Sequence, residues 1–259
     1  FYNAYLPEIA PPEDHDKISA RGFTMGYIGS VLLLVANLVA IQAFGMPAKW
    51  AFITVGIWWA GFAQITLTYL PENPYNHRVK KKESLVKKGF LELQSVWKQL
   101  KNQIPLKRYL GAYFVYNMGV QTVMLMAILF ANKEIQWPIN PETGQPDTAG
   151  LIIAVIIIQL LASVGAFVMS RLSKKVGNIM VLKVVVFLWI LLCVFAYFIH
   201  TPTEFYLLAA FVGFVMGGIQ SMSRSTYSKM LPQTEDHASY FSFWWPYVPR
   251  SSALRFDYK

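Results

Sequence analysis

Charge is scarce in this chain. Asp and Glu number 14 against 23 Lys and Arg, and charged residues make up 14% of 259 positions. Soluble domains carry roughly 25%. No Asp, Glu or His lies at the centre of any long apolar run, so the sequence names no carboxylate for proton or ion coupling. A single cysteine, Cys193, rules out an internal disulfide; inside an apolar run it reads as a small core residue. The patterns H-E-x-x-H, C-x-x-C and G-x-x-x-x-G-K-[ST] are all missing. His15, His77, His200 and His237 are dispersed in loops or at the ends of apolar runs. No enzyme, metal or cofactor is therefore expected. ATP-driven transport would need a nucleotide-binding domain, and none is visible. The net charge of +9 comes without a nucleic-acid motif, so nucleic acid is not an expected partner.

What the chain does contain is apolar length. Hydrophobic residues make up 55% of it, and its mean hydropathy is +0.37. Uncharged runs cover Gly22 to Ala48, Trp50 to Pro71, Tyr109 to Asn132, Thr148 to Ser170, Val184 to Thr203 and Phe205 to Ser223. Each approaches or exceeds the roughly 20 residues that carry a helix across the hydrocarbon core. Backbone groups in lipid must be satisfied within the segment, and none of the runs alternates as a barrel strand would. The expected fold class is all-α: a polytopic membrane protein with six complete transmembrane helices.

The basic residues orient it. Six spans divide the loops into two sets, and one set holds all but Lys49 and Lys133 of the 23 Lys and Arg. Positive charge marks the cytoplasmic side. That places both ends of the chain, the run from Arg78 to Arg108 and the stretch "SRLSKKVGNIM" (Ser170 to Met180) in the cytoplasm. Trp50, Trp137 and Tyr69 read as interfacial anchors near span ends. The localisation expected is a plasma membrane, in a bacterium the inner one.

The expected organisation has four parts. Residues 1–70 end a first helix bundle, 71–108 form a basic cytoplasmic loop, 109–243 begin a second bundle, and 244–259 are an atypical tail. Within the loop, Val86, Phe90, Leu93, Trp97, Leu100 and Ile104 recur at spacings of three and four, with Lys87, Lys88, Lys98 and Lys101 on other faces. This pattern predicts an amphipathic helix, either lying on anionic lipid of the inner leaflet or packed under the bundle.

Neutral polar residues inside the spans are the candidate solute pathway. Asn117 and Gln121 share a face, with Tyr113 and Tyr116 nearby. Gln64 with Thr68, Gln159 with Ser163, and Gln220 with Arg224 repeat the four-residue spacing. An amide in lipid is costly unless it meets a polar group or water, so these faces are expected to turn inward. Each pair is either an interhelical hydrogen bond or the lining of a pathway. Gly22 with Gly26, and Gly213 with Gly217, have the small-residue spacing that lets helices approach closely.

The stretch "RLSKKVGN" resembles the cytoplasmic loop signature of the major facilitator superfamily, G-x-L-x-D-R-x-G-R-R. Aligned on Gly177, it places Leu172 on the leucine and Lys175 on a basic position. Ser170 stands where the first glycine would be and Lys174 where the acid would be, so the family's carboxylate latch is not carried over. Arg171, Leu172, Lys174, Lys175 and Gly177 are the candidate gating-loop residues. Their cations are expected to meet acids elsewhere or lipid phosphates.

"FYNAYLPEIA", "ISARGFTMGYIGSVLLL", "LSKKVGN", "GGIQSMSRSTYSKMLP" and "EDHASYFSF" more narrowly resemble the autophagy-associated vacuolar effluxer family and its bacterial relatives. The resemblance implies a twelve-helix permease in which these six spans are the fifth to the tenth. Phe1 to Ala10 would end the fourth. Relatives would continue into an eleventh span where this chain reads "WWPYVPRSSALRFDYK", either a shifted reading frame or an interfacial tail.

The function expected is secondary transport of a small solute by alternating access. The family's vacuolar members point to amino acids. With first-bundle helices missing, the piece alone is expected not to transport. The competing reading is a non-transporting scaffold or receptor that acts through the basic loop. Expected partners are the bilayer, a small solute and, at the central loop, anionic lipid.

Overall fold

The computed structural model describes residues 2–69, 94, 96–98, 103–139, 149–232 and 240–241. Three short helical turns, Tyr2–Tyr5, Leu6–Ile9 and Pro12–Asp14, precede six long helices. We number these α1 (His15–Phe44), α2 (Trp50–Tyr69), α3 (Ile104–Glu134), α4 (Ala149–Val176), α5 (Asn178–Ala196) and α6 (Pro202–Met230). All six are long and apolar enough to cross a membrane. The chain is an all-α, multi-pass integral membrane protein.

Several helices outrun the uncharged stretches at the ends that carry the basic residues. α1 begins at His15 rather than Gly22, α3 at Ile104 rather than Tyr109, and α6 continues to Met230 past Ser223. Charged side chains are tolerated once a helix enters the headgroup layer, so charge marks the hydrocarbon boundary and not the helix end.

Helix α6 is the centre of the bundle. It packs on α4, α5, α1 and α3, and buried residues run along it from Phe205 to Ser228. Its start is well defined. The Thr201 hydroxyl accepts from the Glu204 amide at 3.4 Å, and the Glu204 carboxylate accepts from the Thr201 amide at 3.1 Å. Pro202 fills the first helical position. Thr201→Ala is expected to lower the thermal unfolding midpoint in detergent by about 2–4 °C.

The α4–α6 contact depends on small residues. A Cβ added at Gly217 would strike the carbonyl of Ala162; one at Gly213 would strike that of Ile158; one at Gly165 would strike that of Phe214. Backbone therefore lies on backbone, as dispersion-driven packing in lipid favours. Gly26, with the same sequence spacing, has nothing within 4 Å of such an atom. It is not a packing glycine here, because α1 turns that face toward open space.

Two buried clusters hold the layers together. The larger includes Ala162, Met169, Val181, Val185, Met216, Ile219, Met222 and Tyr227. The smaller joins Ala131, Ile135, Trp137, Ala154, Phe205 and Ala209. Trp137 is thus buried rather than a free interfacial anchor: its Nε1 donates to the Ala131 carbonyl at 2.7 Å, and its ring meets Phe205 edge-on. Trp50 and Tyr69 are exposed.

Helix α2 contains no buried residue. One polar tie links it to α1, where the Thr54 hydroxyl donates to Asn37 Oδ1 at 2.7 Å. Cys193 is exposed on the outer face of α5 and is not a core residue. Phe52, Leu125, Phe187 and Leu207 are similarly exposed, as lipid-facing side chains should be.

Most of the basic central loop and the tail from 242 lie outside the described residues, including Val86, Phe90, Leu93 and Leu100. Where the loop is described, Val96 is buried, whereas Trp97 and Ile104 are exposed. The inward face is therefore offset by a residue from the one that periodicity suggests, because Val96 joins the core cluster of the bundle.

Candidate functional site

Helices α1, α3, α4 and α6 enclose a cavity of about 510 Å³. Asn117 and Gln121 reach it from α3, Gln159 from α4, Gln220 and Arg224 from α6, and Gly22 and Gly26 from α1. The periodic faces thus converge. Gln64 does not join them. It is exposed on α2, and its carbonyl accepts a 2.8 Å bond from Thr68 within the same helix. No neighbouring helix covers that face among the described residues.

The cavity wall is largely satisfied by its own hydrogen bonds. Tyr27 donates to Gln220 Oε1 at 2.7 Å. Tyr109 donates to the Ser223 carbonyl at 2.7 Å, and the hydroxyls of Tyr116 and Ser223 meet at 2.7 Å. The first bond fixes Tyr27 and Gln220 on the wall, and the others hold Ser223, which also lines it, from behind. Gln159 Oε1 is the exception: it is buried and has no hydrogen-bond partner among the described residues. A buried carbonyl oxygen left unsatisfied costs roughly 1–3 kcal/mol, so it favours a donor brought by a solute or by water.

Arg224 lines the cavity near the end of α6 and is buried. Its Nε donates to the Ser19 hydroxyl at 3.0 Å, its Nη2 to the Ser19 carbonyl at 3.3 Å and its Nη1 to Asn3 Oδ1 at 3.2 Å. Its guanidinium carbon lies 5.1 Å from the centre of the Phe23 ring. Ser19 in turn donates to the Ser221 carbonyl at 2.7 Å. Arg224 therefore both borders the cavity and ties α6 to α1.

A second polar cluster lies where α1 begins and α6 ends. The carboxylate of Asp16, buried at the start of α1, accepts from Asn178 Nδ2 at 2.6 Å, from the Ser173 hydroxyl at 2.8 Å and from Lys229 Nζ at 2.7 Å. Lys229 also donates to Asn178 Oδ1 at 3.1 Å. One acid on α1 thus gathers the end of α4, the start of α5 and the end of α6. The ammonium and the hydrogen bonds together offset the cost of burying it. His15 lies buried beside it, bonded to the Ala10 carbonyl and the Ser228 hydroxyl, each at 3.0 Å.

Among the described residues, the loop cations take no part in this cluster. Arg171, Leu172, Lys174 and Lys175 are exposed. Among the described residues, none of the three cations pairs with an acid; Arg171 lies 4.0 Å over the Phe167 ring. The side chains that cross to other helices are Ser173 and Asn178, which sequence reasoning passed over. Gly177 between them has φ 83° and ψ 153°, a conformation essentially restricted to glycine. Asp16 was missed because Glu13, Asp14, Asp16 and Lys17 read together as a solvated loop. The available signal was an acid on the side of the membrane that carries nearly all the cations.

Comparison with known proteins agrees with this architecture. The family described as vacuole effluxer Atg22 like matches residues 5–248. An uncharacterized MFS-type transporter of Bacillus subtilis, YxiO, is 28% identical over 93% of this chain and 55% of its own length. Autophagy-related protein 22-1 of Penicillium rubens is 27% identical over 86% of this chain and 40% of its own. The corresponding protein of Aspergillus terreus is 26% identical over 92% and 43%. The chain spans about half the length of these curated relatives. No solved structure matches it. With the six apolar helices, the match over nearly all of the sequence shows that the chain belongs to the Atg22-like vacuole effluxer family of MFS-type transporters.

Proposed function

We propose that this chain supplies the solute cavity and the cytoplasmic latch of a secondary transporter that works by alternating access. The observation that carries the reading is the cavity itself: helices from both sides of the basic loop meet there and bring Asn117, Gln121, Gln159, Gln220 and Arg224 together. A site between two bundles can face either side of the membrane as they rock. The Asp16 cluster and the Arg224–Ser19 bonds hold the bundles together on the cytoplasmic side, so opening there requires both to release.

The solute is small and polar, with donors for the Gln159 carbonyl and the remaining amides. The family's vacuolar members favour amino acids. The bacterial relative favours a plasma membrane, with the basic loop in the cytoplasm. In this reading the protein performs no bond chemistry and needs no cofactor; lipid and solute are its ligands.

Counterflow in proteoliposomes tests the proposal, using the protein at the full length of its relatives. Replacing Asn117 and Gln121 with Leu is expected to cut solute exchange at least tenfold, with the thermal midpoint moving by less than about 2 °C. Neutralising Lys80, Lys81, Lys82, Lys87 and Lys88 should leave exchange intact; these lysines lie outside the described residues. The reverse weighting would favour a scaffold acting through the loop. Failure to exchange neutral amino acids, sugars and peptides alike would sink the transport reading.

A further inference from the structure

A groove of about 450 Å³ lies at the cytoplasmic corner, between the α4–α5 junction and the end of α6. Its apolar wall includes Ile179, Met180 and Met230, and its polar lip is Thr226, Lys183 and Lys229. Ile179 and Met180 are substantially exposed, although they belong to a bundle that buries its apolar residues inward. Lys183 is the only charged residue of α5. It is exposed and has no hydrogen-bond or ion-pair partner among the described residues. Lys229 keeps a side chain 27% exposed while holding Asp16.

The combination fits a particular ligand. An unpaired ammonium beside an apolar wall, at the depth where the cytoplasmic leaflet has its headgroups, offers a phosphate on one side and acyl chain contact on the other. Lys183 can extend its methylenes along apolar surface and keep its charge at the headgroup level. Anionic lipids are concentrated in that leaflet, and each nearby cation contributes about 1 kcal/mol to holding them. We propose that this groove is a binding site for an anionic phospholipid of the cytoplasmic leaflet. The phosphate is held by Lys183 with help from Lys229, and an acyl chain lies along Ile179, Met180 and Met230. The site does not depend on what the cavity transports. Because Lys229 also donates to Asp16, occupancy would draw on a cation of the latch.

The test is lipid retention by the purified chain in neutral detergent, followed by native mass spectrometry with dioleoyl phosphatidylglycerol, dioleoyl phosphatidylcholine and inorganic phosphate. Phosphatidylglycerol is expected to remain bound. Lys183→Gln should weaken it about fivefold, and Lys183→Arg should retain it. Lys175→Gln, on the same corner but not in the groove, should change it by less than about twofold. The variants are at exposed positions, and monodisperse elution verifies their folding. Equal loss with Lys175→Gln would mean diffuse surface attraction and overturn the site. Equal retention of phosphatidylcholine would overturn the role of charge. Displacement of the lipid by millimolar inorganic phosphate would identify a free-anion site and overturn the lipid assignment.

Discussion

Replacing Asp16 with Ala is expected to destabilise the chain in detergent by about 3 kcal/mol, the cost of leaving a partly buried ion pair with one member. Three donors lose the carboxylate at once, Lys229 Nζ, Asn178 Nδ2 and the Ser173 hydroxyl, and keep only their other acceptors. Asp16→Asn keeps the shape and one acceptor oxygen, so its cost should be about half as large. The ionic part can be isolated. A double-mutant cycle of Asp16→Asn with Lys229→Gln should give a coupling of roughly 1–2 kcal/mol, whereas independent sites would add within about 0.5. Loss of the latch should also open the cytoplasmic end. With Cys193 replaced by Ser, a cysteine at the buried position Ala20 should react with a maleimide several times faster once Asp16 is Ala. An unchanged rate would show that the cluster stabilises without gating.

Gly217→Ala is expected to be comparably damaging, by about 3 kcal/mol. Overpacking usually costs about 1–3 kcal/mol, and here the obstruction is a backbone carbonyl that cannot swing aside. The added methyl would meet Ala162 and push α4 from α6 along their length. In lipid that separation forfeits dispersion contacts, and no hydrophobic driving force restores them. Gly26→Ala is the control. Its Cβ meets open space, and helix propensity alone predicts a gain of up to about 1 kcal/mol. Unfolding midpoints in one detergent, read side by side, decide the matter. Equal losses would mean that the helices approach differently from the geometry described above.

That contrast shows where the sequence was readable. Length and charge were sufficient for six membrane-spanning helices, because the bilayer imposes one length on every span. The four-residue spacing of Asn117 with Gln121, and of Gln220 with Arg224, marks shared faces, and the structure brings those faces to one cavity. The same spacing on α2 marks Gln64, which meets no neighbour. Periodicity identifies a face but not what the face touches. Gly26 and Gly217 each close a Gly-x-x-x-Gly spacing, yet of these two only Gly217 brings backbone against backbone.

The Asp16 cluster was hidden for another reason. Its members lie at positions 16, 173, 178 and 229, and each looks ordinary in its own surroundings. The gating loop drew attention to its cations, but exposed cations are well solvated where they stand. The short side chains of Ser173 and Asn178 are the ones held close enough to cross to α1.

Gly177 gives that corner a further property. α4 ends at Val176 and α5 begins at Asn178, so a single residue in a glycine-only conformation separates the two helices. Ser173 and Asn178 straddle it as two teeth of a rigid jaw, and Asp16 is gripped as by a chelate. Once one tooth engages, the other is already at high effective concentration. Release and capture should therefore each occur in one step, with no half-gripped state long-lived enough to accumulate.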